Sequence, residues 1–117
     1  MKSQIQQSVN NAEKFQNAEQ IWFWFIYSKS VRAGYMHTHR AANQSRRICE
    51  VLDVETLITK LYLSGRLNDE HLHVMKQFGD KRRAPHQHIW TENKAAALWR
   101  DAMQILDTAA RERNWIE

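Results

Sequence analysis

Helix breakers are almost missing from this chain: one proline and three glycines stand among 117 residues. Gly and Pro are the costliest residues inside a helix, through backbone entropy and a missing N–H, and no run of alternating β-branched residues offers a strand instead. The sequence therefore predicts an all-α fold. Two of the glycines mark stops in the stretch Leu52 to Gly79, which reads as two short helices joined by a turn. Asp53 is placed to cap the first helix, with Leu52 and Leu57 as its hydrophobic staple. Asn68 is placed to cap the second, with Leu67 and Leu72 in the same roles. Gly65 and Gly79 fall where each helix needs a residue free to take positive φ. Val54, Leu57, Ile58, Leu61 and Tyr62 make one apolar stripe, and Leu72, Met75 and Phe78 another. The hairpin Asp53–Gly79 is thus helix-turn-helix-like, and it needs further helices to close a core.

Those helices are predicted on either side. From about Asn11 to Ala33, Phe15, Ala18, Trp22, Phe25 and Ile26 share a face, while Phe23, Trp24 and Tyr27 cover the rest. A helix apolar all round over Ile21–Tyr27 is either enclosed by other helices or offers one side to a partner. Near the other end, Thr91 is expected to cap a last helix with Glu92 in its first turn. Its stripe Ala95, Leu98, Trp99, Ala102, Leu106 and Ala109 runs towards Asn114, after which Trp115 and Ile116 dock the tail. Two polar, basic connections remain, Tyr35 to Glu50 and Asp80 to Trp90, the second broken by Pro85 and anchored by Trp90. The expectation is a single compact domain over 1–117 with four or five helices, residues 1–10 fraying.

The net charge of +4 is modest but unevenly spread. No acid stands between Gln20 and Cys49, whereas Lys29, Arg32, Arg40, Arg46 and Arg47 all lie there. A second cluster, Lys76, Lys81, Arg82 and Arg83, has only Asp80 among it. Clustered cations of this kind suit a polyanion, because neutralising phosphates releases counterions. The single Cys49 rules out an intramolecular disulfide and fits a reducing compartment. The first residues have no apolar signal core, and the longest apolar run, Ile21 to Tyr27, is far short of the roughly 20 residues of a membrane span. A cytoplasmic protein with no membrane partner is the resulting expectation.

Little in the chain suggests chemistry. Three His-x-His pairs occur, His37/His39, His71/His73 and His86/His88, but the middle pair sits about 200° apart on a helix and cannot chelate one ion. The others lack companion cysteines. Cys49 has no orienting base at a recognisable spacing, and no nucleotide-binding or hydrolase motif appears. No metal, no cofactor and no enzyme activity are expected. On the second hairpin helix, Lys76 and Gln77 could reach base edges, although Asp69 and Glu70 at its start would repel phosphate. The functional expectation is a small non-enzymatic regulatory protein, of the transcriptional-regulator kind. It would bind nucleic acid through Arg40, Arg46, Arg47, Lys76, Gln77, Lys81, Arg82 and Arg83. The alternative is a protein-interaction adaptor or homo-oligomer that uses Phe23, Trp24 and Tyr27 on the aromatic helix.

Overall fold

A computed structural model of the chain describes residues 12–34 and 47–117. Among the described residues four α-helices carry the fold: α1 (Ala18–Gly34), α2 (Val51–Leu63), α3 (Asp69–Lys81) and α4 (Asn93–Glu112), the last preceded by a single 3₁₀ turn, Trp90–Glu92. Among the described residues there is no strand, only two isolated bridges, Glu13 with Arg47 and Phe15 with Ile116. Among the described residues no helix is long and apolar enough to cross a membrane.

The helix starts differ from the predicted ones for local reasons. α1 begins at Ala18 rather than near Asn11, because Asn17 caps it, its side-chain oxygen accepting the Gln20 N–H at 2.9 Å. The residues before it are committed elsewhere. Phe15 donates its N–H to the Trp115 carbonyl at 2.8 Å and accepts the Glu117 N–H at 2.9 Å, while the Glu13 carbonyl accepts the Ile48 N–H at 3.0 Å. The tail therefore docks as expected, with Phe15 fully buried beneath it. Asp53 does not occupy the cap of α2. The helix starts at Val51, and Asp53, three residues into it, reaches back to accept the Glu50 N–H at 2.8 Å. The extra turn leaves Leu52 65% exposed, so the predicted staple with Leu57 does not form.

Asn68 caps α3 as predicted, accepting the His71 N–H at 2.9 Å. His71 closes the box, since its Nδ1 accepts the Asn68 N–H at 3.1 Å and its Nε2 is left to donate to Asp101 of α4 at 2.7 Å. Gly65, at φ +83°, allows the reversal in which the Arg66 and Leu67 N–H groups both return to the Leu61 carbonyl. Gly79, by contrast, is not a stop. It lies inside α3, which runs on to Lys81 and ends at Arg82. Its missing side chain serves packing: a Cβ there would stand 2.8 Å from the Trp22 indole nitrogen and 3.1 Å from Ile26. Thr91 and Trp90 are also reassigned. Both lie in the 3₁₀ turn, and Trp90 is 84% exposed rather than an anchor, because its neighbour Glu92 holds the loop instead.

α1 packs on α2, α3 and α4, and α3 packs most extensively on α4. Their buried faces form one core that includes Ile21, Trp22, Phe25, Leu57, Leu61, Phe78, Trp99 and Leu106. Trp99 joins three helices, stacking on Phe23 of α1 at 5.6 Å and meeting Phe78 of α3 edge-on at 6.5 Å. Its indole N–H donates to Glu19 at 2.8 Å. Leu72 and Tyr62, expected in the stripes, are less covered: Leu72 is half-buried, and Tyr62 is exposed with its hydroxyl donating to Asp69 at 2.8 Å.

Truncating a buried leucine removes transfer energy and leaves a cavity, so Leu61→Ala should cost about 2–5 kcal/mol in chemical denaturation. Gly79→Ala should also destabilise, although alanine in a helix interior is ordinarily better than glycine by about 1 kcal/mol. A Gly79→Ala variant more stable than the parent would show that α1 is not seated on this glycine.

Candidate nucleic-acid interface

Beside the contact at Gly79 a cleft of about 480 Å³ lies between α1 and the end of α3, lined by Ile26, Lys29, Ser30, Lys76, Asp80 and Arg82. Ile26, Lys29 and Ser30 are one helical turn of α1, at i, i+3 and i+4, so a single face supplies them. Lys76 and Asp80 are the matching pair on α3, 3.4 Å apart and both exposed. Such an ion pair contributes little in water and leaves the ammonium free to meet a stronger anion. The other cations rest on aromatic faces, with the Lys29 ammonium 5.3 Å from the centre of the Phe25 ring and the Arg82 guanidinium 5.3 Å from that of Tyr27.

Arg82 is positioned by the way α3 ends. It takes φ 61° and donates its N–H to the Gly79 carbonyl, a left-handed stop where glycine or asparagine is usual. For a side chain with a Cβ this conformation costs about 1 kcal/mol. The next residue secures it. Arg83 donates to Glu92 through both terminal guanidinium nitrogens, Nη1 and Nη2, at 2.9 and 2.6 Å, and Glu92 also accepts the His86 N–H at 2.9 Å. The Arg83 hydrogen bonds hold the Glu92 carboxyl down at about 2, with the His86 N–H helping.

The predicted site residues divide accordingly. Lys76 and Arg82 line the cleft, and Gln77 and Lys81 are exposed on the same end of α3, Lys81 lying over the Phe78 ring at 4.9 Å. Arg83 is engaged by Glu92. Arg47 sits 4.6 Å over Phe15 and 3.8 Å from Glu13, neither of which lines the cleft. Arg40 and Arg46, with His37 and His39, lie outside the described residues. Phe23 and Trp24 are half-buried, Phe23 on Trp99 and Trp24 at 5.3 Å from Phe15, which leaves Tyr27 the exposed member of that set. The three do not make one exposed aromatic patch. Lys29 and Ser30 also line the cleft, and their helical phase with Ile26 is the sequence signal that marks them.

Cys49 and His71 are both held inside the fold. Burial, with Asp53 adding to it and Arg47 opposing, pushes the Cys49 thiol up to about 12, so it carries almost no thiolate. His71 has both ring nitrogens occupied, while His73, His86 and His88 are exposed. Among the described residues no three His, Cys, Asp or Glu side chains gather as a ligand set. Compared with protein-family models, with curated proteins and with solved structures, the chain matches none.

Two measurements check this electrostatic picture. A carboxyl depressed from 4.5 to about 2 stabilises the fold above its unfolded value and loses that contribution as pH falls. The stability gap between the parent and Glu92→Gln should therefore be widest above pH 4.5 and close as pH approaches 2. Native Cys49 should resist iodoacetamide at about pH 8 and react on unfolding, because alkylation needs the thiolate.

Proposed function

We propose that the protein is a non-enzymatic regulatory factor that binds single-stranded nucleic acid along the cleft between α1 and α3. The observation that carries this reading is convergence. Lys29 belongs to the acid-free stretch between Gln20 and Cys49 and Lys76 and Arg82 to the second basic cluster, yet all three line one cleft. Tyr27 is exposed, with Arg82 of the cleft over one face of its ring. A groove of cations that follows a phosphate backbone, with an aromatic face for a base to stack on, is the general solution to single-strand binding. A duplex read by α3 in the manner of a helix-turn-helix is less well supported, since exposed Asp69 and Glu70 form the end that would approach the phosphates. The adaptor reading through Phe23, Trp24 and Tyr27 also has less support, because Phe23 and Trp24 spend much of their surface inside the fold.

Fluorescence anisotropy with labelled DNA and RNA strands, and with duplexes of the same sequence, tests the proposal. Single-strand affinity should fall with salt at about 0.7 log units per log of salt for each phosphate contacted, giving a slope near −2 for three cations. Lys29→Glu with Lys76→Glu should abolish binding. Arg82→Gly separates function from folding: relief of the left-handed strain should keep the melting temperature at or above that of the parent, while affinity falls and the salt slope flattens. Absence of binding at low salt, or affinity untouched by these variants, would reject the reading.

A further inference from the structure

We propose that the outer face of α2 is a self-association seam on which a second copy of this chain docks antiparallel. α2 turns Val54, Leu57 and Leu61 into the core, yet Leu52 and Leu63 on its other side are 65% and 77% exposed. Eleven positions at 100° each bring these leucines to within about 20° of one another around the helix and about 16 Å apart along it. Thr56 and Thr59, both exposed, fill the interval at the same phase. Leu52, Thr56, Thr59 and Leu63 thus follow i, i+4, i+7, i+11, the spacing of a coiled-coil seam. The Thr59 hydroxyl donates to the Glu55 carbonyl at 2.9 Å, so its polar atom is used within the helix and its methyl remains for contact.

Charge selects the occupant and its direction. The seam carries no charge, and Asp53 and Lys60, both exposed, flank one edge of it. In an antiparallel pair with Leu52 set on Leu63 of the second copy, Thr56 meets Thr59 and Asp53 meets Lys60. A two-fold axis repeats each contact, as an isologous interface requires. The helix dipoles then run opposed, so unlike ends lie together, whereas a parallel pair would place like ends side by side. Four seam residues cover less than the roughly 1,200 Å² of a stable interface, which makes the dimer weak and transient.

Sedimentation of the full chain from about 10 µM to about 1 mM covers the affinities such an interface gives. The apparent mass should climb towards twice that of the monomer, Leu63→Glu should remain monomeric throughout, and Lys60→Glu should weaken association at low salt. Far-UV circular dichroism confirms that each variant is folded. Orientation is read by mild oxidation: an equimolar mixture of Leu52→Cys and Leu63→Cys should cross-link between the two variants, whereas each alone should not, with the buried native thiol inert. A mass that stays monomeric to the top of the range, a dimer that Leu63→Glu leaves intact, or self-cross-linking of Leu52→Cys would each overturn the proposal.

Discussion

The seating of α1 on α3 at Gly79 is the contact on which the other packing depends. The Trp22 indole N–H donates to the Met75 carbonyl at 2.8 Å, and a side chain at Gly79 would stand where that ring lies. The indole polar atom is buried, so without the carbonyl it would carry a desolvation penalty, and only the close approach brings the carbonyl within reach. Phe25 packs beside the Trp22 ring at 5.3 Å, and Ile26 is placed both against Gly79 and in the cleft wall. Core and candidate site are therefore two consequences of one missing methyl group.

The aromatic surplus of α1 is resolved by dividing it among partners rather than by enclosing the helix. Trp22 goes to α3, Phe23 to Trp99 of α4, and Trp24 to Phe15 of the entering segment. Tyr27, one turn beyond, is the exposed aromatic of the helix, and Arg82 lies over its ring. That order explains why a run apolar on every side does not produce a large exposed patch. Each ring faces a different neighbour.

Much of this was legible from residues in isolation. Scarcity of Gly and Pro points to helices, Asn68 and Gly65 mark their own roles through local hydrogen bonding and positive φ, and the stripes of α2 and α4 show their buried faces. What was not legible depends on contacts distant in sequence. Gly79 reads as a stop because a helical glycine near a basic loop usually is one, and only Trp22, far earlier in the chain, reveals it as a packing site. Phe15 fits a helical stripe by spacing, yet its backbone is claimed by the C-terminal tail. The candidate site suffered the same limit. Runs of like charge single out Lys76 and Arg82, but the convergence of Lys29 with them requires knowing that α1 and α3 cross.

Arg82 and Arg83 show why counting charges in a run misjudges a site. The two adjacent cations have opposite fates: Arg83 turns towards Glu92, with the close paired geometry of a bidentate ion pair, and Arg82 turns outward over Tyr27. The first sustains the second. A left-handed arginine would relax if the chain beyond it were slack, but that chain is tied at Arg83, at the His86 N–H and at buried Pro85. Local strain persists where its surroundings over-determine it, and such positions gather at functional sites. An arginine stays in a glycine's conformation here because Glu92, the His86 N–H and Pro85 fix the chain that follows it.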